Sequence, residues 1–203
     1  NFTIMSLFMG TCSYTTTFVA QYFGSGNNSR AGSAVWQGIY FSIAGAMVLI
    51  IFIPFAEEIF TLIGHDPAIR EYESVYFSIL CAGSWGPLAS SAIAGFFSGR
   101  GITWPVLWVN VMGTFVNIIL DYILIFGKLG LPAMGVRGAA IATVIAGFSV
   151  FAVYLFMFFH PSHEKEFGTR SGWRLQRELF VRLIRFGFPS GLQFFIEIST
   201  FTG

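Results

Sequence analysis

One carboxyl lies inside a long apolar stretch. Asp121 falls in the run Ile102–Phe126, preceded by Asn110, Thr114 and Asn117. The spacing 110, 114, 117, 121 is that of one helical face. A carboxyl at the centre of a membrane helix costs about 2.5–3.5 kcal/mol on insertion scales, so such a group faces a cavity or a partner. Oxygen-bearing side chains on one face, one of them ionisable, can hold a cation or take up a proton. An Asp held only by hydrogen bonds between helices is the structural alternative, and packing hydrogen bonds explain Asn110 and Thr114 equally well. A second acid, Glu197, follows Gln193 by one turn on a common face. It is either a binding residue or an acid near a helix end. Gln37 reads as a hydrogen-bonding neighbour rather than a cavity residue.

These residues must be positioned by apolar elements. The chain is 55% hydrophobic, 10% charged and carries net charge +1, against about 25% charged residues in soluble domains. Nothing in that balance points to a nucleic-acid partner. Six apolar segments are visible: the N-terminus to about Tyr22, Ala34–Phe55, Tyr72–Phe97, Ile102–Phe126, Gly138–Phe159 and one starting near Leu179. Each complete one has at least the ~20 residues that cross a hydrocarbon core. All are expected to be helices, since lipid offers backbone polar groups no other partner. The reading is an all-α polytopic membrane bundle. The sequence begins inside one apolar segment and stops inside another, which reads as a piece of a longer chain.

Charge sets the orientation. Residues 160–185 hold Lys165, Arg170, Arg174, Arg177, Arg182 and Arg185, six of the eleven Lys and Arg, so this segment is expected to be cytoplasmic. Arg30 and Arg100 then fall on the same side, and Glu57, Glu58, Asp66, Glu71 and Glu73 on the other. The basic stretch Trp173–Arg185 is expected to lie on anionic headgroups. His160, His163 and Glu164 read as a solvated loop rather than a metal site. His65-Asp66 before Pro67 reads as a turn, Cys12 and Cys81 as packing residues, and Trp104 and Trp108 as an interfacial belt. Pro87 and Pro189 are expected to kink their helices. The small residues at Ala89–Gly95 and Gly135–Ala142 read as close-packing faces.

Four motifs in register resemble one family. Val19-Ala-Gln-Tyr-Phe-Gly-Ser-Gly26, Asn117-Ile-Ile-Leu-Asp-Tyr-Ile-Leu-Ile-Phe-Gly127, Gly135-Val-Arg-Gly-Ala-Ala-Ile-Ala-Thr143 and Gly187-Phe-Pro-Ser-Gly-Leu-Gln193 followed by Glu197 are similar to segments of the multidrug and toxic compound extrusion (MATE) transporters, NorM-like branch. The resemblance implies two six-helix lobes. Residues 1–160 would be most of the N-terminal lobe without its first helix, 161–178 a cytoplasmic linker, and 179–203 the start of the C-terminal lobe. It also implies that Asp121, Asn117 and Thr143 line a cation site able to take Na⁺ or H⁺. Glu197, with Gln193, would serve a coupling ion or a cationic substrate, and Thr114 would line the same chamber as Asp121.

The activity implied is antiport. Cationic amphipathic compounds would leave a bacterium across its inner membrane in exchange for H⁺ or Na⁺, through a monomeric, lipid-embedded protein without a cofactor. A lipid-linked oligosaccharide flippase is the alternative. Its cavity would be expected to hold several basic residues for pyrophosphate, and no span interior here carries one. An enzyme is not expected, because no nucleophile–base arrangement or metal-spaced ligand set is present.

Overall fold

The computed structural model describes residues 2–64 and 66–202, so the expected turn at His65 falls partly outside the described residues. The described residues form ten α-helices. These are α1 (Phe2–Ser13), α2 (Thr15–Gly24), α3 (Ser29–Ile51), α4 (Ala56–Ile63), α5 (Pro67–Ala82), α6 (Trp85–Ser98), α7 (Trp104–Phe126), α8 (Gly135–Phe158), α9 (Pro161–Phe167) and α10 (Arg177–Thr202). Four stretches, 29–62, 104–126, 135–158 and 177–200, are long and apolar enough to cross a bilayer. A fifth candidate is the pair formed by Ile69–Ala82 and Trp85–Ser98, bent by 46°.

Several boundaries differ from the sequence reading. The first apolar segment is two helices, broken at Tyr14. The third helix bends at Gly83-Ser84, the kink expected from Pro87. A proline ring clashes with the carbonyl four residues earlier, so the break falls one turn before Pro87. The helix of α10, by contrast, is unbroken through Pro189.

Helix α6 is the hub. It packs on α1, α2, α3 and α8, and its Leu88, Ala89, Ala92, Ile93 and Phe96 are fully buried. Small residues let neighbouring backbones approach. A Cβ at Gly95 would stand 2.2 Å from Thr15 Oγ1, and the Thr15 hydroxyl donates across the interface to Ala92 O at 2.9 Å. The α1–α10 seam is built the same way. Gly191 would place a Cβ 2.2 Å from Leu7 O, and Gly10 would place one 2.8 Å from Gly191 Cα. With Gly187 four residues earlier, the seam has the glycine spacing that lets membrane helices touch backbone to backbone.

The linker is folded, which corrects the expectation of a solvated loop and of a strap resting only on headgroups. It docks on the basic end of α3. Trp36 Nε1 donates to Thr169 O at 2.7 Å, Gln37 Nε2 to Ser33 O at 2.9 Å and to Arg174 O at 3.3 Å, and Gln176 N to Gln37 Oε1 at 3.2 Å. Tyr40 OH donates to Trp173 O. Gln37, 1% exposed, is thus the hydrogen-bonding neighbour expected, and its partner is the linker backbone. Gly32 admits the strap, since a Cβ there would stand 2.5 Å from Phe167 O.

His163 is half-buried inside this elbow. Its ring meets Phe96 and Phe97 edge-on at 5.2 and 5.9 Å. Its Nδ1 lies 2.9 Å from Met157 O, and a carbonyl can only accept, so Nδ1 carries the hydrogen. Arg100 stacks 3.9 Å from the Phe96 centroid and 4.6 Å from that of Phe167. Burial pulls the Arg100 guanidinium down to about 10, with Glu166 opposing. Burial also pushes the His163 imidazole below its ordinary value; the Met157 bond opposes this, Arg100 and His160 add to it, and Glu166 opposes it. The docked strap therefore binds fewer protons at His163 than an undocked one. Docking is at full strength above the ordinary histidine range near ~6.5 and weakens as pH falls through it. Hydrogen exchange of residues 161–176, corrected for intrinsic rates, is expected to be faster at pH 5.5 than at pH 7.5, and His163→Phe to remove the difference. Equal protection at both pH values in the unmodified protein would refute this.

Candidate functional site

Helix α7 carries the polar face. Pro105 sits in its first turn, where the missing N–H costs nothing. Gly127 ends it at φ 65°, a left-handed conformation that suits glycine. Along its length α7 leans mainly on α8. The two run antiparallel and close, with a Cβ at Gly138 standing 2.7 Å from Leu124 O and one at Gly113 standing 2.3 Å from Val150 Cγ2. Trp104 and Trp108, 67% and 62% exposed, lie at the basic end, as an interfacial belt requires.

The four residues of the face divide into two pairs. Asn110 Nδ2 donates to Val106 O at 2.7 Å and to Tyr154 OH at 3.4 Å. Thr114 Oγ1 donates to Asn110 O at 3.1 Å. Both are occupied by local bonds, the structural reading allowed for them. Asn117 and Asp121 are not. Asn117 Nδ2 and Asp121 Oδ1 are buried atoms without a hydrogen-bond partner. They lie one turn apart on one helix. A buried polar group left unsatisfied costs about 1–3 kcal/mol, and native structures keep few of them. The Asn117 carboxamide can present its oxygen by a half-turn, so the pair can offer two oxygens to a cation or a carboxyl to a proton.

Thr143 stands elsewhere in its bonding. Its hydroxyl donates to Ala139 O at 2.9 Å, and it lines a small apolar cavity of about 100 Å³ beside Gly83, Ser84 and Pro87. The α7–α8 register brings it near the level of Asp121, without a hydrogen bond between them. Gln193 Nε2 donates to Glu197 Oε1 at 3.0 Å. That pair opens into a cavity of about 410 Å³ bounded by Met9, Ser13, Ser91 and Ser190. Asn110 lines a second cavity of about 390 Å³, with Thr16, Ser90 and Tyr154. Met9, Ser13 and Ser91 are walls of both, so the two adjoin. Neither is lined by Asp121 or Asn117.

Sequence reasoning missed these hydroxyls. Ser90 and Ser91 sit in the small-residue run Ala89–Gly95, and their role as packing masked the lining. Ser13 and Thr16 flank the unexpected break at Tyr14. Among the described residues no group of three or more His, Cys, Asp or Glu is placed to hold a metal. Glu164 instead accepts from the backbone N–H of Arg170 and Ser171, which holds its carboxyl below the usual range, the Arg170 bond contributing most.

Several helices long and apolar enough to cross a bilayer, one of them carrying a polar face, define a multi-pass helical integral membrane protein. The family model MatE matches residues 1–123, more than half of the chain, and the chain belongs to that family. It is 29% identical over 187 residues to a probable multidrug resistance protein NorM of Thermotoga maritima, covering 89% of this chain and 39% of that one. Among solved structures it is similar to a multidrug resistance MATE family transporter in an outward-facing conformation, with TM-score 0.84, 24% identity, and coverage of 98% of this chain and 44% of that one. A multidrug resistance MATE family transporter in an inward-facing conformation matches at TM-score 0.82 and 24% identity, over 95% of this chain and 43% of that one. The chain spans about two fifths of the length of the curated relatives it matches.

Because Asp121 Oδ1 has no protein partner, removing the carboxyl should not destabilise the fold. Asp121→Leu is expected to leave the thermal midpoint of the full-length protein in detergent unchanged or higher. A loss above about 2 kcal/mol would mark Asp121 as a structural hydrogen-bonding residue instead.

Proposed function

We propose that this chain forms part of a secondary active antiporter of the bacterial inner membrane that exports cationic amphipathic compounds in exchange for H⁺ or Na⁺. The observation that carries the reading is the orphaned pair Asn117 Nδ2 and Asp121 Oδ1, buried one turn apart in a membrane helix. Its relatives among multidrug resistance proteins support the substrate class.

The chemistry follows from the pair. A proton on Asp121 removes a charge from the α7 face, and a sodium ion there satisfies the carboxylate with a compensating charge. Asn117 and Thr143 are the neighbouring oxygen donors in this reading, and Thr114 extends the face. Either cation binds one state of the transporter more tightly than the other, and that difference alone lets an ion gradient move the equilibrium. Glu197, oriented by Gln193, offers a second anionic station beside α1 for a coupling ion or for the exported cation. An aromatic, hydroxyl-lined chamber with few anionic points accepts many amphipathic cations. The protein works in this reading as a monomer without a cofactor.

The test is ethidium efflux from proteoliposomes holding the full-length protein, with pH and Na⁺ gradients imposed separately. Efflux driven by at least one gradient is expected. Asp121→Asn is expected to reduce gradient-driven efflux by at least tenfold, while ethidium still binds. Glu197→Gln is expected to weaken ethidium binding or its response to the ion. Full efflux in Asp121→Asn would remove Asp121 from the mechanism, and no efflux under either gradient would refute antiport.

A further inference from the structure

At the basic end of the bundle an open groove of about 380 Å³ runs between α3, the end of α8 and the linker, lined by Trp36, Phe159, Arg170 and Trp173. The Trp36 and Phe159 rings stand 6.1 Å apart and 35° from parallel. The polar edge of Trp36 is already bonded to Thr169 O, so the ring presents an apolar face. Arg170 is exposed at the rim. One of its N–H groups, on Nη2, donates to Phe159 O at 2.6 Å, which fixes the guanidinium there. A guanidinium has five N–H donors in all, so this bond leaves most of its capacity for a second acceptor. Just beyond, Trp173 and Leu175 are each 58% exposed, although they lie in a segment dense in arginine.

We propose that this groove binds an anionic glycerophospholipid of the cytoplasmic leaflet. The phosphate meets Arg170, and the first methylenes of an acyl chain lie on Trp36, Phe159 and Trp173. Three observations converge on this ligand. The groove sits where α3 and α8 reach the basic end, and the concentration of Lys and Arg there assigns that end to the cytoplasm. Its walls are aromatic with one cation, the pattern of an amphipathic anion's site; an amphipathic cation would meet Arg170 as a like charge. Residues 160–185 carry six Lys and Arg against three Glu, so the surroundings favour a charged lipid over a zwitterionic one. A free phosphate would leave the aromatic walls unfilled. Because the lipid would bridge α3, α8 and the linker, it would hold the strap down from the membrane side while Gln37 and Tyr40 hold it from the protein side.

The experiment uses the full-length protein, delipidated in dodecyl maltoside and titrated with dioleoyl phosphatidylglycerol or dioleoyl phosphatidylcholine. Bound lipid is counted by native mass spectrometry and the thermal midpoint is followed in parallel. Phosphatidylglycerol is expected to bind and to raise the midpoint, phosphatidylcholine to do so much less. Arg170→Gln should weaken phosphatidylglycerol binding about fivefold, Arg170→Lys should retain most of it, and Trp173→Ala should weaken both lipids. Equal effects of the two lipids, or equal phosphatidylglycerol binding by the unmodified protein and Arg170→Gln, would overturn the site. Inorganic phosphate reproducing the stabilisation would also overturn it, by marking an anion site without a lipid. Should Arg170→Gln not fold, the comparison of Arg170→Lys with Trp173→Ala carries the test, and Trp173→Ala binding at full strength would sink it. Ethidium efflux is a separate readout, so failure of the lipid site leaves the antiport reading standing, and the reverse.

Discussion

Close backbone approach is the constraint on which this bundle depends. Lipid tails are as apolar as leucine, so hydrophobicity gives membrane helices little reason to prefer each other. What remains is van der Waals contact and hydrogen bonding at short range, and both need small residues at the crossing points. Gly95 and Ala92 on α6 admit Thr15, whose hydroxyl then reaches Ala92 O. Gly138 and Gly113 do the same between α7 and α8. A larger residue at any of these points would move a whole helix, and with it the register that sets Asp121 and Thr143 near one level.

The polar face of α7 is the counterpart of that constraint. Many Ser and Thr side chains of the bundle return their hydroxyls to their own helix, as Thr114 and Thr143 do, and so cost little in lipid. Asn117 and Asp121 sit in the same surroundings without that remedy. Tyr22, Trp85, Arg100 and Thr169 also bear buried atoms without a partner, so an orphan atom alone does not mark a site. What separates Asp121 is its ionisable carboxyl within an apolar span, with a second orphan one turn away.

Composition and spacing made the helices and the α7 face legible in the sequence. Long apolar runs in lipid have one backbone solution, and the positions 110, 114, 117 and 121 align by helical geometry alone. The breaks were unequally legible. Tyr14 interrupts the first segment with no glycine or proline to announce it, whereas the bend before Pro87 sits where the ring's clash falls. The linker was misread because its charges suggested solvent. The signals for docking were there in Phe167, Gly168 and Gln176, but their partners Gly32, Ser33 and Gln37 lie more than a hundred residues away, and single-sequence spacing says nothing about that distance. The adjoining cavities were hidden for the same reason: their walls come from α1, α2, α6, α7, α8 and α10 together.

Helix α10 shows how these features combine. Its start is tied to α3 through Gln37 and the strap, and its middle lies along α1 at Gly187 and Gly191. The two ties differ in kind. The strap is fastened by directed hydrogen bonds to Trp36, Gln37 and Tyr40, several of which must open together. The glycine seam rests instead on close backbone approach between the two helices. Gln193 and Glu197 follow directly on that seam and face the cavity beside Met9 and Ser13. Glu197 therefore lies along the stretch of α10 that packs on α1, beyond the end that the strap ties to α3.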